Sequence, residues 1–122
     1  MSIKDGFSKI AEIGYQGVEI APFTLKDNPL EINEEDAECC LEAAQSAGIE
    51  IVGLHWLMAK SEGLHLTSSD QGMRDAACEY LQKLATLTGQ MGGSIMVLGS
   101  PQQRNLEPVS YTHLTLPTIL RV

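Results

Sequence analysis

The feature that most constrains this chain is a threefold alternation between helical and extended apolar patterning. Ser2 with Asp5 three residues on opens a helix over about residues 3 to 13, in which Ile3, Phe7, Ile10, Ala11 and Ile13 recur until Gly14. GVEIAPF follows as a short strand ending at Pro22, with Val18 and Ile20 on one face and Glu19 and Ala21 on the other. Asn33 caps a second helix whose first turn is acidic and whose stripe is Ala37, Cys40, Leu41 and Ala44. Gly48 ends it, and the run to Trp56, GIEIVGLHW, reads as a buried strand. Ser68 or Ser69 begins a third helix, with Met73, Ala76, Ala77, Tyr80, Leu84, Leu87 and Met91 on its apolar side, until Gly92 and Gly93 stop it. SIMVLGS, apolar on both faces, reads as a central strand of a parallel sheet. The strand centres lie about 33 and then about 44 residues apart, which means right-handed parallel crossovers and an α/β fold. The series opens on a helix and closes on a strand, so the reading is a piece cut from a longer α/β alternation.

A chain of 122 residues, 43% hydrophobic and 20% charged, has the length and composition of one modest globular domain. Its formal charge of −8 repels nucleic-acid backbones and anionic lipid surfaces, which disfavours both as partners. Cys39, Cys40 and Cys78 show no metal-ligand spacing and read as reduced thiols. No apolar run approaches the ~20 residues of a membrane span and no signal-peptide core is present, so the expectation is a soluble, cytoplasmic protein.

Strand carboxyl ends are where α/β proteins bind ligands, which makes His55, at the end of GIEIVGLHW, the first site candidate. The alternative is a structural histidine orienting the loop that follows. Residues 22 to 33 read as a surface loop over the end of the first strand, and LMAKSEGLHLTSS as a longer one of the kind that often serves as a lid. His65, in that second loop, shares no regular element with His55 and is expected at the surface. From about Val109 the chain changes character: VSYTHLTLPTILRV has no acidic residue and no helical period. It resembles a translated sequencing-adaptor tail, so residues 109–122 are read as a non-native tail, with a genuine β-like extension as the alternative; Tyr111 and His113 are set aside on that ground.

Four stretches in order, KIAEIGYQGVEIAPF, AGIEIVGLHWL, EGLHLTSSD and VLGSPQQRN, resemble the sugar phosphate isomerase/epimerase family of the xylose-isomerase-like TIM barrels. The resemblance covers about residues 3 to 108 and implies a partial (β/α)8 barrel with strands corresponding to about two, three and four. It implies a parent enzyme that moves a proton beside a carbonyl through an enediolate, with a divalent metal (Mn, Mg or Co) polarising the substrate. The family's metal-binding and catalytic carboxylates belong to strands five to eight, so this piece is expected to lack them and to be inactive alone. On the same resemblance, His55 would hydrogen-bond a sugar hydroxyl, and in the endonuclease IV group the matching histidine binds zinc. Glu19 would point into the barrel, as a ligand contact or half of a buried ion pair; Trp56 and Phe23 would wall a sugar face or pack against the helix layer. Arg104, just past Gly99, Ser100 and Pro101, would hold a phosphate or carboxylate or lie solvated in its loop. The ligand implied is a small sugar or sugar phosphate, and a homo-oligomeric parent stays open. Kept beside this are a keto-inositol dehydratase of the same superfamily, an endonuclease IV-like repair enzyme and a non-catalytic binding domain. The first and third strands of such a piece would both present unpaired edges.

Overall fold

Local chemistry sets the helix ends. In a computed structural model describing residues 2–99 and the backbone of the strand Thr118–Arg121, α1 (Ile3–Ile13) begins at a capping box between Ser2 and Asp5. α2 (Glu34–Ala47) begins at a second box between Asn33 and Asp36. Gly14 and Gly48 close these helices in the left-handed conformation, φ +110° and +76°. α3 (Gln71–Gln90) is capped by Asp70, whose carboxylate accepts the Gly72 N–H at 2.9 Å, and not by Ser68 or Ser69. Ser68 instead accepts the Asp70 N–H at 3.1 Å and so fixes the capping residue. No helix among the described residues is long and apolar enough to cross a membrane.

Between the helices run β1 (Gly17–Ile20), β2 (Glu50–Leu54) and β3 (Ile95–Leu98), parallel and in spatial order β1-β2-β3. β4 (Thr118–Arg121) joins the outer side of β3 antiparallel. The third predicted strand is therefore flanked on both sides, though one of its neighbours is antiparallel, and β1 and β4 are the edge strands among the described residues. β1 also stops short of Pro22, because the proline opens a 3₁₀ turn, Pro22–Thr24.

The three helices pack on one face of this sheet over Phe7, Ile20, Ala37, Cys40, Ile51, Leu54, Tyr80 and Leu84. Two periodicity assignments shift. Ile13 is 73% exposed, on the far flank of α1, and Ala43 rather than Leu41 completes the buried stripe of α2. Burial pushes the Cys40 thiol up to about 12, with Cys39 beside it adding to the rise, so Cys40 serves as a small apolar core residue.

An extra residue in β2 governs the register. Val18 pairs with Ile51, whereas Glu19 pairs with Gly53, leaving Val52 without a partner on β1. Such a bulge shifts the side-chain alternation by one, which lets Ile51 and Leu54, three residues apart, both reach the helix layer. Val52 is 37% exposed, so β2 is buried on one face only. Gly53 permits the arrangement: a Cβ there would lie 1.8 Å from the Ile95 carbonyl oxygen of β3. Gly93 is also confined, though less tightly, its Cβ position 3.1 Å from the Gly53 Cα.

Asp36 ties the crossover between β1 and α2 to the helix. Its carboxylate accepts the Asn33 N–H and pairs with the Lys26 ammonium at 3.0 Å, while Lys83 of α3 donates to the Leu30 carbonyl at 2.8 Å. Desolvation raises the Asp36 pKa, but the Asn33 N–H, Lys26 and Lys83 together outweigh it and hold it below the ordinary 3.8.

Two outcomes follow from these contacts. Gly53→Ala drives a methyl group into backbone and costs about 3 kcal/mol or more, read as a fall in the urea midpoint. Because the Asp36 pKa is depressed, its contribution is complete above the unfolded value and is lost as pH falls through the folded one. Urea midpoints of wild type and Asp36→Asn should therefore differ at neutral pH and converge below about pH 3.

Candidate functional site

The bulge decides where His55 points. Gly53 shares the Glu19 face of the sheet, so His55, two residues on, shares it too, and its N–H continues the ladder to the Ile20 carbonyl at 3.0 Å. His55 Nδ1 lies 3.9 Å from a Glu19 carboxylate oxygen. That nitrogen is buried and makes no hydrogen bond, although the His55 and Glu19 side chains keep 40% and 43% of their exposure. Glu19 is thus a half-exposed carboxylate beside a histidine rather than part of a buried ion pair.

Past His55 the chain turns sharply because Leu57 and Met58 are both completely buried. Trp56 takes a left-handed conformation, φ +53°, which bulky side chains rarely adopt, and stands 57% exposed. The turn is held by the Ala59 N–H on the Trp56 carbonyl and by the Tyr80 hydroxyl donating to the Leu57 carbonyl at 2.6 Å. Burial pushes the Tyr80 phenol well above its ordinary range, so it stays a neutral donor. With Leu57, Met58 and Leu64 in the core, this part of the loop is fastened down rather than free to act as a lid.

The 3₁₀ turn after β1 supplies the facing wall. Thr24 bonds back to the Ala21 carbonyl through both its N–H and its hydroxyl, and this presents Phe23 with its ring centroid 5.8 Å from that of Trp56. The Trp56 indole in turn lies 6.3 Å from the His55 ring. Lys60, also left-handed at φ +59°, sets its ammonium 4.6 Å from the Phe23 ring centre.

Glu19, Phe23, Thr24, His55 and Trp56 border a cavity of about 470 Å³ at the carboxyl ends of β1 and β2, and Lys60 lies outside its lining. Four residues singled out from the sequence, Glu19, Phe23, His55 and Trp56, all line it. Arg104 lies outside the described residues. His65 is half-buried rather than at the surface, with Nδ1 3.4 Å from the Thr67 hydroxyl. Sequence reasoning missed the α1 side of the cavity, where Ile3, Gly6, Phe7 and Ile10 form an apolar wall. Their helical spacing was visible, but it signals a buried face without saying whether protein or ligand covers it.

A family model of the xylose isomerase-like TIM barrel matches residues 7–115. The chain belongs to this family. A crystal structure of D-psicose 3-epimerase, solved in the presence of D-fructose, is similar to this xylose isomerase-like chain, with a TM-score of 0.58 and 17% identity. The match covers 77% of this chain and 30% of the epimerase, so it establishes a shared fold and a partial barrel. No curated protein matches the chain in sequence. The cavity takes residues from both faces of the sheet, Glu19 and His55 from one and Phe7 and Ile20 from the helix-covered other, and it lies toward the strand carboxyl ends, the end at which TIM barrels carry their sites.

Tyr80→Phe leaves the Leu57 carbonyl buried without its donor and should cost about 1 to 3 kcal/mol. Amide exchange at Trp56–Lys60 should accelerate more than exchange in α2, because the lost bond fastens that turn.

Proposed function

We propose that this chain is the substrate-facing part of a sugar or sugar-phosphate isomerase or epimerase, an enzyme that moves a proton on carbon beside a carbonyl. The observation that carries this reading is the convergence of Phe23 and Trp56 with His55 and Glu19 on one cavity at the ends of β1 and β2. Aromatic faces suit the C–H side of a sugar ring, while the imidazole and carboxylate suit its hydroxyls. Membership of the xylose isomerase-like family and the fold shared with D-psicose 3-epimerase support the same reaction class. Arg104 belongs to the proposal as an anion contact for a phosphorylated substrate.

A divalent metal, Mn, Mg or Co, enters this proposal as part of the whole enzyme, where it would polarise the substrate carbonyl. Glu19 and His55 are two donors, and among the described residues no three His, Cys, Asp or Glu side chains group around one point. These residues do not by themselves fit a metal, and the role assigned to them is to bind and orient the sugar.

Trp56 is the single tryptophan of the chain and reports on the cavity directly. Titration with D-fructose should give a saturable change in its fluorescence, weak and in roughly the millimolar range. His55→Ala should weaken binding about fivefold, the worth of one hydrogen bond. A linear response matching that to glycerol would overturn the reading.

A further inference from the structure

His55 and Glu19 differ in how they meet the cavity. Of the two imidazole nitrogens, Nδ1 is enclosed without a hydrogen-bond partner, 3.9 Å from a Glu19 carboxylate oxygen. Nε2 is not enclosed in this way, and the side chain, still 40% exposed, lines the cavity. Neutral histidine must place its one proton on either nitrogen. With Nδ1 bare, an enclosed lone pair would face a carboxylate, unsatisfied and repelled. With Nδ1 protonated, the same atom becomes a donor toward an anion, and a rotation of about 1 Å at the half-exposed Glu19 carboxylate brings it to hydrogen-bond distance.

We infer that Glu19 is a positioning residue that holds His55 in the Nδ1-protonated tautomer, so that Nε2 presents a lone pair to the cavity and accepts a hydrogen bond from a ligand hydroxyl. This deepens the sugar-binding proposal and rests on it for the ligand; the tautomer stands on the geometry alone. It also fixes the polarity of recognition. His55 accepts, so the group it selects is a hydroxyl or another donor, while phosphate and carboxylate oxygens, having no proton to give, are disfavoured at that point. The second Glu19 oxygen remains for a neighbouring hydroxyl.

The test is a long-range ¹H–¹⁵N correlation spectrum of the full chain labelled at histidine, at about pH 8.5 where imidazole is neutral. His55 is assigned through His55→Gln. The expected wild-type spectrum has a protonated, pyrrole-like Nδ1 and a bare, pyridine-like Nε2. Glu19→Ala should move the ring toward the Nε2-protonated form, whereas Glu19→Gln, which keeps an acceptor oxygen, should retain the wild-type pattern. A wild-type His55 already protonated on Nε2 overturns the assignment without recourse to any variant, and so does a tautomer unchanged in Glu19→Ala. Addition of D-fructose should shift Nε2 more than Nδ1. A Nδ1-protonated ring with no response to D-fructose would uphold the positioning role of Glu19 and sink the sugar-binding reading, so the two fail separately.

Discussion

The close approach of β2 and β3 at Gly53 is the constraint on which the rest of this structure depends. With a Cβ position 1.8 Å from the Ile95 carbonyl oxygen, the two backbones meet where no other residue fits. Val52 is the extra residue beside that contact, and the bulge it makes sets the phase of everything downstream on β2. Leu54 turns into the core and His55 turns out of it. With regular alternation over the same residues, His55 would share the face of Ile51 and point into the helix layer.

The walls of the cavity are held from behind by the core. Leu57 and Met58 are wholly buried, and their burial offsets the unfavourable backbone of Trp56, leaving the indole turned outward. Tyr80 reaches across from α3 to the Leu57 carbonyl, and Lys83 of the same helix reaches the Leu30 carbonyl. Helix α3 thereby fastens the loops after both β1 and β2. The half-buried Phe23 and the exposed Trp56, on two loops anchored to the same helix, stand with ring centroids 5.8 Å apart.

Charge at the site is sparse and placed at its edges. Glu19 and His55 supply the charged and polar groups of the cavity, α1 presents an apolar wall, and Lys60, outside the lining, lies over the Phe23 ring. A binding surface of this kind gains affinity from apolar contact and selects by a few directed hydrogen bonds.

The helix boundaries, the parallel crossovers and the α/β class were legible in the sequence because they rest on local signals: the capping boxes at Ser2 and Asn33, and the glycines at 14 and 48. The choice of Glu19, Phe23, His55 and Trp56 followed from their places at strand ends, where the topology brings side chains together whatever the details of packing. What the sequence left open turns on contacts between residues distant along the chain. The bulge at Val52 sits beside the close approach of β3 to Gly53, and the apolar stripe of α1 both packs into the core through Phe7 and borders the cavity. Asp70 rather than Ser68 caps α3, since the two side chains bond to successive N–H groups and only the folded loop ranks them. Periodicity records which residues avoid water, and so it determined the elements. Only the tertiary structure decided which neighbour each face meets, and with it the side of the sheet on which His55 finds Glu19.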